Sequence, residues 1–162
     1  LLGPEMKSTG EVMGLDRDFG HAFAKAQLAI GMKLPLAGNV FISVKDLDKE
    51  AITPICKKLI FIGFTLIATN GTSKHLISEG IKVKRINKVR EGRPHIVDLI
   101  KNGEVSLIFN TTEGAKSIAD SYSMRQTALY SNVPYYTTVS GSKAVVLAIE
   151  SIMKELIMVD IL

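Results

Sequence analysis

Cysteine is almost missing from this chain: Cys56 is the only one in 162 residues. A disulfide framework is thereby excluded, and a reducing, cytoplasmic setting is expected. Cys56 falls on the apolar stripe Ile52, Ile55, Cys56, Leu59, so it reads as a packed thiol and not as a nucleophile. No run of about 18 uninterrupted apolar residues occurs, so no membrane-spanning helix is expected, and no signal peptide is visible. The three histidines, His21, His75 and His95, show no metal-ligand spacing, and no metal site is expected. Aromatic residues are few, 6% of the chain, and they are not interleaved with cations, which argues against a stacking platform for single strands. Acids are scarce in one window: Lys82, Lys84, Arg85, Lys88, Arg90 and Arg93 share it with Glu91 alone. That cluster, in a chain of net charge +4, fits nucleic acid, an anionic small molecule or a merely solvated face.

What the chain does have is enough apolar content, 46%, for one ordinary core with an appendage. The start Leu1-Leu2-Gly3-Pro4, without an initiator Met, reads as a piece of something longer. Residues 1–37 differ in character from the rest. Glycines punctuate residues 4–14, Asp18 caps a predicted helix over 19–30, and Gly31, Pro35 and Gly38 then break the chain. We read 1–37 as the tail of a preceding domain plus a linker, and 38–162 as the domain itself.

From Asn39 onward strands and helices alternate. Strands are predicted over 40–44, 66–68, 82–86, 105–109 and 135–137. Helices are predicted over 73–79, closed by Gly80; from Pro94 to about 102, ended by Gly103; over 121–130; and over 143–158, capped by Ser140-Gly141-Ser142. The helix after the first strand has two readings. It starts at Asp48 and carries Pro54 inside, or it is shorter, with Thr53 as cap and Pro54 as first residue. Five strands joined by long connections argue for an α/β fold: a three-layer α/β/α sandwich with a five-stranded, mainly parallel sheet.

Ligands in such sheets bind outside the carboxyl ends of the strands. Ser43, Thr69-Asn70-Gly71-Thr72, Asn87-Lys88, Asn110-Thr111-Thr112 and Thr137-Thr138 gather on that rim. At its centre an apolar strand runs into a small hydroxyl-rich turn and a helix N-terminus, which favours an anion. The turn lacks the Lys of a Walker A loop and the three glycines of a dinucleotide fingerprint. Gly71 allows close approach, and Thr69 and Thr72 add hydroxyls. No His, Asp, Cys or carboxylate pair is expected on the rim, with Glu113 the nearest acid. Such a site binds an anion without transforming it.

Gly3 to Gly14 and Phe23-Ala24-Lys25-Ala26-Gln27 resemble the end of the second ATP-grasp half of the carbamoyl-phosphate synthase large subunit. Ser43-Val44, Asp48-Lys49-Glu50, Ala68-Thr69, Gly71-Thr72, Asn87-Lys88-Val89, Glu91-Gly92-Arg93-Pro94, Asn110-Thr111-Thr112, Asp120-Ser121, Tyr135 and Thr137-Thr138 are similar to that subunit's C-terminal allosteric domain, which has the methylglyoxal-synthase-like fold. The resemblance implies a domain that binds UMP, and in some members IMP, and so regulates synthesis of carbamoyl phosphate from glutamine or ammonia, bicarbonate and ATP for pyrimidine and arginine biosynthesis. By resemblance Lys49, Thr69, Gly71, Thr72 and Lys88 hold the phosphate, and Ser43, Asn110 and Thr112 contact the nucleoside. Tyr135 and Thr137 contribute to an ornithine site. No cofactor is implied for this segment; ATP with Mg or Mn belongs to the parent ligase. The implied partners are the other domains of the large subunit, the glutaminase small subunit and a second copy, with neither nucleic acid nor membrane. Methylglyoxal synthases carry an aspartate in a Gly-Gly-Asp turn, where this chain has Glu91-Gly92-Arg93-Pro94, and an acid near Thr112. The alternative reading, a lyase acting on a triose phosphate, therefore lacks its base. N-acetylglutamate, the ligand of animal urea-cycle relatives, is disfavoured by the phosphate-binding set.

Overall fold

Apolar runs such as Val40-Phe41-Ile42 and Leu107-Ile108-Phe109 make the central strands, as expected for strands buried on both faces, whereas the edge strand Lys84–Arg85 is exposed. The computed structural model describes residues 33–161, so the reading of residues 1–32 lies outside the described residues. The elements are β1 (Asn39–Ser43), α1 (Lys49–Phe61), β2 (Thr65–Ala68), α2 (Asn70–Ser78), β3 (Lys84–Arg85), α3 (Ile96–Lys101), β4 (Leu107–Asn110), α4 (Gly114–Asp120), α5 (Tyr122–Tyr130), β5 (Tyr135–Tyr136) and α6 (Val139–Ile161). Single 3₁₀ turns at Asp46–Asp48 and Val89–Glu91 precede α1 and follow β3. Ala37–Ser142 form one compact unit, and the part of α6 from Lys143 onward belongs to another.

All five strands are parallel, in the order β3-β2-β1-β4-β5. In register, Phe41 lies beside Ile67 and Ile108. With Ile96, Val97 and Ile100 of α3 and Met124 and Ala128 of α5 they form one buried core. Period-2 alternation sends Val40, Ile42, Leu66, Leu107 and Phe109 to the other face. The connections β1→β2→β3 run the opposite way along the sheet from β3→β4. Right-handed crossovers therefore put α1 and α2 on that second face, where they supply the buried Ile52, Ile55, Cys56, Leu59 and Leu76. Burial pushes the Cys56 thiol up to about 12, as a packed, unreactive cysteine requires.

Several boundaries differ from the sequence pattern. Helix α1 is the longer alternative and contains Pro54. The proline removes a bond to the carbonyl of Glu50, but Glu50 and Pro54 are both exposed, so water can replace it. Thr53 does not cap; it is buried, and its hydroxyl donates back to the Lys49 carbonyl at 2.7 Å. Helix α2 starts at Asn70, three residues earlier than predicted, so Gly71 and Thr72 form its first turn. Helix α3 starts after Pro94, because the Asp98 carboxylate accepts the His95 N–H at 3.0 Å and sets the first turn there. Helix α4 was not foreseen: it buries no residue and leaves Ile118 exposed, so it has no apolar periodicity to read. Helix α6 begins at Val139, and Thr138 takes the capping role assigned to Ser140–Ser142, accepting the Gly141 N–H at 3.0 Å. No helix among the described residues is long and apolar enough to cross a membrane.

Candidate functional site

Strand order reverses between β1 and β4, whose connections leave in opposite directions. A crevice must open beyond the carboxyl ends of those two strands. Ser43 and Asn110, the last residues of β1 and β4, stand side by side in register there. Above them lies a cavity of about 460 Å³, within the usual range for a small-molecule site. Ser43, Lys49, Thr69, Gly71, Thr72, Lys88, Asn110 and Thr112 all line it. Eight of the ten residues singled out from the sequence therefore line one cavity.

One end of the cavity is the start of α2. The first intrahelical bond runs from the Ser73 N–H to the Thr69 carbonyl at 2.7 Å, so the N–H groups of Asn70, Gly71 and Thr72 precede it. Thr69 occupies the N-cap position with extended backbone, but no side chain caps the helix. Its hydroxyl turns instead to Ser43 Oγ, at 3.1 Å. Thr72 Oγ1 accepts the Val44 N–H at 3.1 Å, pinning the end of β1 to the start of α2. An uncapped helix start favours an anion through its unpaired N–H groups and its dipole. Lys49 comes over the same place from α1: a Cβ added to Gly71 would lie 3.2 Å from Lys49 Nζ. Gly71 has no left-handed φ, so what its missing side chain supplies is room. Lys49 is ion-paired with Asp46, whose carboxyl is held below the usual carboxylate range by that hydrogen bond and charge. Lys88 approaches from the end of β3, exposed, in a turn closed by its own N–H donating to Glu91 Oε1 at 2.7 Å.

The other end is built differently. Asn110 Nδ2 donates to Ser121 Oγ at 2.9 Å and to the Tyr135 hydroxyl at 2.7 Å. Tyr135 thus stands behind Asn110 and outside the lining, as does Thr137, which is exposed just past β5. Burial raises the Tyr135 hydroxyl above its ordinary range, against the opposing pull of Asn110, so it stays a neutral partner for the amide. Thr111 is buried and accepts the Lys45 N–H at 3.0 Å. Phe41, Ile96 and Met124 give the cavity an apolar floor.

The expectation that acids are absent from the rim is corrected by the structure: Asp46, Glu91, Glu113 and Asp120 line the cavity. Three of them are engaged: Asp46 by Lys49, Glu91 by the Lys88 N–H, and Asp120 by Arg90, whose Nε lies 3.0 Å from Oδ1. Arg90 also belongs to the lining. Sequence reading passed over Ser117 and gave Asp120, quoted only within the Asp120-Ser121 motif, no site role, because α4, which carries both, has no periodic signature. Among the described residues no group of three or more His, Cys, Asp or Glu could hold a metal ion.

The family model described as "MGS-like domain" matches residues 51–137, more than half of the chain. The carbamoyl phosphate synthase large chain of Mesorhizobium japonicum is 55% identical over 152 residues, which is 94% of this chain and 13% of that protein. That of Myxococcus xanthus is 54% identical over 152 residues, 94% of this chain and 14% of that protein. This chain thus spans only a small part of the length of the relatives it matches. The methylglyoxal synthase of Elizabethkingia anophelis NUHP1 superposes with a TM-score of 0.56 at 18% identity, over 71% of this chain and 80% of that one, a likeness of fold alone. Fold and family model agree: the chain belongs to the MGS-like domains, of the kind whose sequence recurs in carbamoyl phosphate synthase large chains.

Proposed function

We propose that this domain is the allosteric module of a carbamoyl phosphate synthase large chain and that it binds a nucleoside monophosphate of the UMP or IMP type. The observation that carries the reading is the convergence of Lys49, Lys88 and the uncapped start of α2 on one cavity. Two cations and a set of unpaired N–H groups suit a dianionic phosphate far better than a neutral group. Lys49, Gly71, Lys88 and the hydroxyls of Thr69 and Thr72 take the phosphate. Thr72 Oγ1 accepts from Val44 N–H and donates to the Val44 carbonyl at 3.5 Å, a bond long and weak enough for its proton to turn to a ligand instead. Ser43, Asn110 and Thr112 take the nucleoside at the other end. Tyr135 acts on the nucleoside only through Asn110, and any ornithine contribution of Tyr135 and Thr137 lies outside this cavity.

In this reading the effector changes how the rest of the large chain, with its ATP, its Mg or Mn and its glutaminase small subunit, makes carbamoyl phosphate. Calorimetric titration of the 162-residue chain with UMP, IMP, uridine and N-acetylglutamate tests it. UMP or IMP should bind well and the other two weakly; uridine binding as tightly as UMP would show that phosphate is not the anchor. A second reading, a lyase acting on a triose phosphate, gains from the carboxylates found on the wall. Three of the four are already held, Asp46 and Asp120 by cations and Glu91 by a backbone N–H, so these do not stand free to meet a substrate. Incubation with dihydroxyacetone phosphate should release no methylglyoxal, and turnover would favour the lyase instead.

A further inference from the structure

Lys49 sits between two claims on its charge. Its ammonium stands over the first turn of α2, 3.2 Å from where a Gly71 Cβ would be, and it is ion-paired with Asp46 three residues before it. The Lys49 side chain is 20% exposed and that of Asp46 89% exposed, so the lysine is held in the cavity wall while its partner reaches in from solvent. Asp46 caps neither the 3₁₀ turn that it opens nor α1, since neither start has a side-chain cap. Its carboxylate has no helix-starting duty, unlike Glu91, which accepts the Lys88 N–H and closes that turn.

Resting on the effector-site reading above, we propose that Asp46 is a built-in competitor for Lys49 and holds down the affinity of the site for an anionic ligand. With the cavity unliganded, the carboxylate satisfies the ammonium. A ligand must displace it and then tolerate a like charge nearby. A phosphate monoester incurs both costs, whereas a neutral group, which draws nothing from the Lys49 charge, is indifferent to them. Asp46 thereby raises the concentration at which an anionic ligand fills the site, without touching the binding of a neutral one. Exposed pairs of this kind are weak, so the competition should amount to roughly a two- to fivefold factor in dissociation constant.

The test is Asp46→Asn in the 162-residue chain, titrated with UMP, inorganic phosphate and uridine, alone and combined with Lys49→Ala. Asp46→Asn should tighten UMP and phosphate by about two- to fivefold and leave uridine unchanged. Most of that gain should vanish once Lys49 is alanine, which is the signature of a pairwise coupling. Unchanged or weaker UMP binding by Asp46→Asn overturns the proposal while leaving the effector site standing. So does an equal gain with and without Lys49, which would mean that Asp46 acts as general surface charge. If the unaltered chain binds neither UMP nor phosphate, the effector-site reading falls and this proposal with it.

Discussion

Replacing Gly71 with alanine should move folding and binding in opposite directions. Gly71 is the second residue of α2 and has no left-handed φ, so alanine fits the backbone. Helix propensity favours alanine over glycine by about 0.5–1 kcal/mol in a helix interior, and by less in a first turn. The new Cβ would stand 3.2 Å from Lys49 Nζ, the flexible end of a long side chain, which can shift by a few tenths of an ångström. The unliganded variant should therefore melt unchanged or up to about 2–4 °C higher. Binding should suffer, because the methyl group fills the space through which a phosphate reaches the helix N–H groups. Losing one charge-assisted bond costs about 1.5–3 kcal/mol, or roughly 10- to 150-fold in Kd at about 1.4 kcal/mol per decade. Thermal melting gives the first quantity and calorimetry with UMP the second. Unchanged UMP affinity in a normally folded variant would refute the reasoning, since no ligand could then approach this backbone closely.

Lys88→Ala should weaken UMP by a similar factor and leave the unliganded melting temperature alone, Lys88 being exposed; Arg85→Ala, outside the lining, is the control, and equal losses in both would point to a diffuse field. UMP at about a hundred times its Kd should stabilise the folded chain by roughly 2.7 kcal/mol, with a much smaller melting shift from uridine; equal shifts would count against the phosphate. Thr53→Val removes a buried hydroxyl that donates to the Lys49 carbonyl and lies 3.1 Å from His75 Nε2; it should cost about 1–3 kcal/mol, read by chemical denaturation, and a cost near zero would show that the link between α1 and α2 is idle. Asp98 is held down to about 2, first by its hydrogen bond to Arg93 and then by the His95 N–H. Its folded pKa lies below its unfolded value near 3.9, so its contribution is full above about pH 4 and is lost as pH falls through about 2. Asp98→Asn should flatten the acid limb of the melting-temperature profile in that window, and an unchanged limb would contradict the assignment.

The alternation of strand and helix, and hence the parallel sheet, was legible because runs such as Val40-Phe41-Ile42 and Leu107-Ile108-Phe109 carry their burial in their composition. The rim was legible for the same reason: in a parallel sheet the residue after each apolar run lies on one edge, whatever the helices do. That rule places Ser43, Thr69 and Asn110 on the rim. Periodicity also marked α1 and α5, and it misjudged the starts of α2 and α6. At α2 a tertiary contact draws the Thr69 hydroxyl away from the helix start, and at α6 a local cap lies earlier than the serines suggest. Thr69 turns to Ser43, and Thr138 takes the Gly141 N–H.

Whether Pro54 interrupts α1 depended on its carbonyl partner facing water, which is a tertiary fact. The acids were invisible as site residues because Asp46, Glu91 and Asp120 reach the cavity from the two 3₁₀ turns and from α4, elements without an apolar period. Strand order was equally out of reach. Composition alone gives five parallel strands, and only packing sets β4 beside β1, opening the crevice between Ser43 and Asn110. Local sequence thus determined which residues reach the carboxyl edge, because burial and period are written residue by residue. Tertiary structure decided which of them share a cavity and which charges are already paired within it, because those depend on neighbours far away in the chain.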